Sequence, residues 1–142
     1  MINYPLFFQA RASAAPGILK KWSSSAADLS PISCAIPKEF HGQGDGYSPE
    51  DLMAMAVINC FIATFKVFAE KSGLSFKEIT LSAHLEINRN SSGTVGLTSL
   101  RVDVHLQGSS DSSKARTILE ETRKNCLMAN ALKIQVDYQM RV

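Results

Sequence analysis

The feature that most constrains the fold is a long apolar segment that follows a clear helix start. Ser48 suits the N-cap, Pro49 suits the first helical position, and two acidic residues occupy the first turn. From residue 52 to residue 65 the segment is apolar on every helical face, so protein must cover nearly all of its surface. A monomer of 142 residues can hardly supply that cover. The sequence therefore predicts a homodimer with this helix near the two-fold axis.

The patterns on either side of this helix predict an α+β fold in a single domain, residues 1–142. In chain order we expect N-terminal strands and a glycine loop (1–47), the central helix (48–72), a strand pair (77–107), a second helix (110–131) and a final strand (133–141). Within the second strand of the pair, the alternation of apolar residues changes parity. That change predicts a β-bulge near Thr98 and Ser99.

Composition and spacing argue against several classes of partner. Hydrophobic residues make up 45% of the chain and charged residues 20%, which is typical of a packed domain. The net charge of +2 comes from scattered residues, so we expect no nucleic-acid partner. No spacing of histidine and cysteine resembles a metal site. The longest uncharged apolar run has 14 residues and contains Asn59, too short to span a bilayer, so we expect no membrane contact.

The N-terminus shows no secretory signal, so we expect a cytoplasmic protein whose three cysteines are thiols rather than a disulfide scaffold. Cys60 lies midway along the apolar helix, and Cys126 lies on the apolar stripe of the second helix. Each of them, taken singly, is also explained as a small packing residue. A reactive thiol in mid-helix would need a neighbouring cation to lower its pKa. Cys34, in a strand between two prolines, is expected to be inert.

Three parts of the sequence together resemble the OsmC/Ohr superfamily of osmotically inducible and organic-hydroperoxide-resistance proteins. Residues 47–52, Tyr-Ser-Pro-Glu-Asp-Leu, and the following Cys60-Phe61 resemble the family signature Asn-Pro-Glu-x-Leu…Cys-Phe. Cys126 precedes a final strand, and residues 132–139 resemble the family's ending. The resemblance implies an OsmC-like fold, with antiparallel sheets packed around a long central helix in an intertwined homodimer.

The resemblance also implies a peroxidase that reduces organic hydroperoxides in oxidative-stress defence. Cys60 would be oxidised to a sulfenic acid, Cys126 would resolve it to a disulfide, and an external thiol reductant, by analogy a lipoyl group or a small thiol, would reduce the disulfide. No cofactor is implied. Glu50 is the third catalytic candidate, although ten residues of helix separate it from Cys60, about 15 Å. If both serve one site, they must come from different subunits.

One departure from the family pattern concerns the arginine that stabilises the thiolate. Neither of the family's two arginine positions holds one in this chain, and Lys38 or, less well placed, Arg11 would have to supply the charge. Lysine lacks the two-pronged hydrogen bonding of a guanidinium. The alternative is therefore a non-catalytic OsmC-like protein that binds a small apolar ligand at the dimer cleft. In either case Phe61 is a candidate binding residue, and the apolar residues around Cys60 would favour a fatty or aromatic hydroperoxide.

Overall fold

A computed structural model describes residues 1–142, and the chain forms two compact units, residues 1–52 and residues 53–142. The first unit contains a three-stranded antiparallel sheet in the order β1-β2-β3, formed by β1 (Ala10–Ser13), β2 (Trp22–Ala26) and β3 (Ile32–Cys34). The strands are shorter than the apolar runs in this part of the sequence suggested. All side chains from residue 1 to residue 20 are exposed, so burial does not extend the first strand beyond its paired residues.

The glycine-rich loop folds back onto β3 and contains one short 3-10 helix, Lys38–Phe40. The backbone N–H of Tyr47 donates to the carbonyl of Ser33 at 2.9 Å, which fixes the end of the loop beside the strand. Gly42 is required here because a Cβ atom would overlap the carbonyl group of Ile36. The loop therefore serves as a tight return into the long helix.

Helix α1 (Pro49–Lys71) begins at the predicted cap. The Ser48 hydroxyl accepts a hydrogen bond from the backbone N–H of Asp51 at 3.0 Å. The Asp51 carboxylate in turn accepts one from the backbone N–H of Ser48 at 2.9 Å. The helix stops at Gly73, whose positive φ of 64° is the left-handed conformation typical of helix ends.

The second unit contains a sheet in the order β4-β5-β6, with β4 (Glu78–Arg89), β5 (Val95–Gln107) and β6 (Val136–Arg141). The predicted bulge is confirmed, because the β4–β5 pairing shifts from Glu86 opposite Ser99 to Ile87 opposite Leu97, leaving Thr98 unpaired. Strands β5 and β6 run parallel, which differs from the antiparallel sheets that we expected. The helical segment between them carries the chain back to the middle of β5, where Val136 lies opposite Leu100, and such a crossover produces a parallel pair.

Two helices form that crossover, α2 (Ser112–Asn125) and α3 (Leu127–Asn130). The Asp111 side chain caps α2 by accepting a hydrogen bond from the N–H of Lys114 at 2.9 Å. A single helix over 110–131 was predicted, whereas the structure interrupts it at Cys126. The boundaries and the single-domain organisation otherwise stay predictions.

The core of the second unit lies between one face of α1, the inner face of the sheet and α2. Buried on α1 are Val57, Phe61, Phe65 and Ala69, which follow one another at a spacing of four residues. Only 22% of the most apolar window of this helix is buried, and Met53 and Met55 are each 38% exposed. Several other apolar side chains of α1, including Met53 and Met55, are therefore partly or largely exposed within the single chain.

By length and composition alone, α1 could cross a membrane, because its most apolar window has a mean hydropathy of 1.9. The length of the uncharged run consequently does not exclude a membrane span, since the helix continues to Lys71. The buried face of α1 instead has the regular stripe of a helix packed on a protein core.

Candidate functional site

The structure brings Cys60 and Cys126 to the same turn of α1. The Cys126 thiol donates a weak hydrogen bond to the carbonyl oxygen of Val57 at 3.8 Å, and Val57 lies three residues before Cys60. In a helix, a side chain covers the turn that is N-terminal to its own Cα, so the Cys60 side chain extends towards this same turn. Both cysteines are unbonded thiols, with Cys126 fully buried and Cys60 half-buried. Two residues separated by 66 positions in sequence thus form a dithiol.

Cys126 reaches this place because it lies between two helices rather than inside one. Its backbone is extended, with φ −73° and ψ 102°, and it is both the last cap of α2 and the first cap of α3. Two side-chain amides stabilise the junction: Asn125 donates to the carbonyl of Glu121 and Asn130 to the carbonyl of Lys124. The Asn130 bond satisfies a carbonyl at the end of α2 that has no intrahelical partner, while the Asn125 side chain adds a second donor to a carbonyl within the last turn.

Burial raises the pKa of the Cys126 thiol above its ordinary value. The neighbouring Cys60 sulfur raises it further, while the backbone N–H of Ala129 opposes the rise. Cys126 is consequently protonated at neutral pH, as its hydrogen bond to Val57 also requires. In the reduced protein this residue is a thiol held beside Cys60, not a thiolate.

Tyr138 on β6, within the final strand that the sequence predicts, is a third polar group at this place. Its ring packs against Phe61 with a centroid distance of 5.5 Å. Its hydroxyl oxygen is buried and has no hydrogen-bond partner in the protein. Burial, and then the nearby sulfur atoms of Cys126 and Cys60, raise the pKa of Tyr138. A polar hydroxyl at an inward position of the last strand was the sequence signal that could have revealed it.

Glu50 lies in the first turn of α1, and its Oε2 atom is buried without a hydrogen-bond partner. None of the ion pairs in the structure includes it. Because α1 is continuous from Pro49 to Lys71, Glu50 and Cys60 of one chain are about 15 Å apart along the helix. A buried carboxylate normally requires a compensating positive group. Within one chain, Glu50 therefore has neither a cation nor a cysteine beside it.

The two candidate cations bind elsewhere. Lys38 lies along Gly44, and its charge helps Lys21 to lower the pKa of Asp45, where the Lys21 hydrogen bond at 2.7 Å has the larger effect. The guanidinium of Arg11 donates to the carbonyl of Ala27 at 3.1 Å. Neither side chain contacts Glu50 through an ion pair.

Phe61 is fully buried, so in the single chain its ring serves the core and its packing against Tyr138. Exposed apolar side chains on the same helix, seven and five residues before Cys60, are Met53 and Met55. No group of three or more histidine, cysteine, aspartate or glutamate side chains forms a candidate metal site. The roles of Cys60, Cys126, Glu50, Lys38 and Phe61 stay predictions.

Raised pKa values at Cys126 and Tyr138 predict a loss of stability in alkaline solution. The folded protein holds these two protons at pH values at which the unfolded chain has released them. The free energy of unfolding should therefore fall above about pH 9, by up to about 1.4 kcal/mol per pH unit and group. Urea unfolding of reduced protein between about pH 7 and about pH 11 measures this dependence.

Two substitutions separate the contributions. Cys126→Ser and Tyr138→Phe should each flatten the alkaline decline, whereas Tyr4→Phe should not, because Tyr4 is 77% exposed. Identical declines in all four proteins would show that neither buried group causes the loss.

Comparison with known proteins identifies relatives of the whole arrangement. The family model described as OsmC-like protein matches residues 42–141, more than half of the chain. The uncharacterised protein YmaD of Bacillus subtilis is 23% identical over 116 residues, covering 76% of this chain and 75% of the relative. An organic hydroperoxide resistance protein of Xanthomonas axonopodis pv. citri is 27% identical over 105 residues, covering 72% of each chain.

A solved structure, the organic hydroperoxide resistance protein OsmC of Legionella pneumophila, superposes with a TM-score of 0.79. The match covers 99% of this chain and 100% of that one at 19% sequence identity. At this identity the likeness shows the fold alone. The expected α+β fold around a long helix is thereby confirmed.

Proposed function

The chain belongs to the OsmC-like protein family, and on this premise we propose that it is a thiol-dependent peroxidase that reduces organic hydroperoxides in oxidative-stress defence. The observation that carries the proposal is the placement of the Cys126 thiol on the Val57 carbonyl, one turn from Cys60. A peroxidatic and a resolving cysteine must come together in this way to form a disulfide.

In the first step, the Cys60 thiolate attacks the distal oxygen of the hydroperoxide. An S–O bond forms, the O–O bond breaks, and the alkoxide leaves and takes up a proton to become an alcohol. Cys60 is oxidised to a sulfenic acid by two electrons, which the peroxide receives. Cys60 is half-buried, which suits this role. Substrate must reach the thiol, while the sulfenic acid that forms must be shielded from further oxidation.

In the second step, Cys126 attacks the sulfenic sulfur, the S–O bond breaks, and the hydroxyl group leaves as water with the proton of Cys126. An external dithiol then reduces the disulfide and is itself oxidised, and a lipoyl group is the proposed dithiol. The protein would act in the cytoplasm, where such dithiols keep cysteines reduced. No cofactor takes part in this scheme.

We further propose that the active form is a homodimer with its sites at the interface. Two observations support it: apolar side chains of α1 such as Met53 and Met55 are exposed in one chain, and Glu50 has a buried oxygen with no partner. A second copy of the chain would cover the exposed apolar side chains of α1 and would supply a partner for the buried Glu50 oxygen. In the dimer, Glu50 of one subunit would serve Cys60 of the other, and Met53 and Met55 would contact an apolar hydroperoxide.

The second candidate function is a non-catalytic protein that binds a small apolar ligand at the dimer cleft. The observation that favours it is the absence of an ion pair to Glu50, with Lys38 close to Asp45 instead. Without a cation at the site, thiolate formation at Cys60 would be less favourable.

Intact-mass analysis after treatment with one equivalent of cumene hydroperoxide distinguishes the two functions. For the peroxidase we expect an internal disulfide in the wild-type protein, which lowers the mass by two hydrogens. In the Cys126→Ser variant we expect one added oxygen on Cys60, because the resolving thiol is missing. Cys34→Ser serves as the matched control and should behave like wild type. Unreacted Cys60 and Cys126 after this treatment would leave the ligand-binding function as the better account.

A further inference from the structure

The hydroxyl group of Tyr138 is the one feature of the dithiol site to which the peroxidase scheme assigns no role. Its oxygen atom is buried and has no hydrogen-bond partner of good geometry, although the Cys126 sulfur is near enough to raise its pKa. A buried donor without an acceptor costs free energy, whereas phenylalanine would fill the same space without that cost. Packing alone therefore does not account for tyrosine at this position.

Neighbouring groups hold the tyrosine ring in place. On β6, Tyr138 pairs with Val102 of the parallel strand β5, and Val102 is fully buried. The ring leans on Phe61 at an interplanar angle of 34°, and Phe61 directly follows Cys60 on α1. The ring is thus held against the residue that follows Cys60, with its hydroxyl oxygen buried.

Oxidation of Cys60 gives the Tyr138 hydroxyl a new hydrogen-bond acceptor. A thiol sulfur is a weak acceptor, whereas the oxygen of a sulfenic acid is a strong one. The S–O bond also places that oxygen outward from the sulfur, into the space around the dithiol. We propose that Tyr138 donates its hydroxyl hydrogen bond to the oxygen that Cys60 receives from the hydroperoxide. The proposal rests on the peroxidase function and adds a third residue to its chemistry.

Such a bond would favour catalysis because it is absent in the reduced protein and forms as oxygen is transferred. As the Cys60 sulfur takes the distal oxygen, the negative charge passes to the departing alkoxide, while the tyrosine donor orients the transferred oxygen and stabilises its new bond to sulfur. When Cys126 attacks, the same donor faces the leaving oxygen, which departs as water with the Cys126 proton. Tyr138 keeps its own proton throughout, in agreement with its raised pKa.

The test compares Tyr138→Phe with Tyr4→Phe, each in the Cys126→Ser background, so that the reaction stops at the sulfenic acid. The rate of oxygen addition to Cys60 is followed by intact mass with cumene hydroperoxide. We expect Tyr138→Phe to slow the addition about tenfold, which corresponds to the loss of one hydrogen bond, and Tyr4→Phe to leave it unchanged. The thermal midpoint of reduced Tyr138→Phe should equal or exceed that of its parent, because an unpartnered hydroxyl is removed.

A purely structural tyrosine would give the opposite combination, a lower midpoint with an unchanged rate, and this result would overturn the proposal. A second measurement needs no substitution at Tyr138: the infrared C–O stretch of this tyrosine should shift when Cys60 is oxidised in Cys126→Ser. An unshifted band also counts against the bond. If Cys60 takes up no oxygen in any variant, the peroxidase function fails together with the role of Tyr138. Equal rates in the two tyrosine variants overturn only the role of Tyr138.

Discussion

Replacing Cys60 with serine is expected to reduce the turnover of cumene hydroperoxide by at least about a thousandfold, because the serine hydroxyl is a far weaker nucleophile than a thiolate. Serine has nearly the same volume as cysteine, and Cys60 is only half-buried, so the fold should survive the change. The measurement is the rate of peroxide loss with a reduced dithiol as electron donor. Circular dichroism of the same sample monitors the fold.

Cys34→Ser is the matched control for this experiment. Cys34 is 1% exposed and belongs to the first unit, whereas Cys60 belongs to the second. We expect Cys34→Ser to retain full turnover, with a cost in stability of about 1 kcal/mol from placing a hydroxyl in a buried position. If Cys60→Ser retained turnover as well, the nucleophile would have to be another group, and the proposed chemistry would be wrong.

The local signals in the sequence predicted the local structure well. The cap at Ser48 and the bulge at Thr98 both depend on a few adjacent residues, and the structure contains both. The strand β6 was also predicted, but its direction was not. Alternating apolar residues identify a strand without indicating which strand it pairs with or in which direction.

The interruption at Cys126 was missed for a related reason. The apolar stripe of α2 continues to residue 126 at helical spacing, so periodicity alone extends the helix. Asn125 and Asn130 compete for backbone carbonyls at this point and end α2 one residue before the cysteine. Tyr138 was missed because its importance lies in which groups surround its hydroxyl, and only the assembled sheet and helices determine those.

The proposed site combines two residues that a single chain keeps apart. The sequence and the structure both place Glu50 and Cys60 about 15 Å apart on one continuous helix. A shared site then requires two chains. The all-round apolar helix, which predicted a dimer, and the unpartnered Glu50 oxygen lead to one arrangement, in which each subunit contributes a different residue to each site.

Mixing two inactive variants tests this arrangement. We expect Glu50→Gln to lower turnover about a hundredfold, because the amide cannot bind a positively charged group as a carboxylate does. Cys60→Ser is inactive for the reason given above. In a heterodimer of the two variants, one shared site contains both substitutions and the other contains neither. Equal amounts of subunits, exchanged at random, should therefore regain about a quarter of wild-type turnover.

The same mixture distinguishes the shared site from a site built within a single chain. If Cys60 acted with Glu50 of its own subunit, or without it, every site in the heterodimer would still carry one substitution, and turnover would not exceed the average of the two unmixed samples. Size-exclusion chromatography with light scattering, run on each variant alone, ensures that both remain dimers. Subunit exchange itself is followed by native mass spectrometry of the mixed sample. We expect turnover to return in the exchanged dimers and not in samples mixed too briefly for exchange. This result would place Glu50 and Cys60 of different subunits in one site.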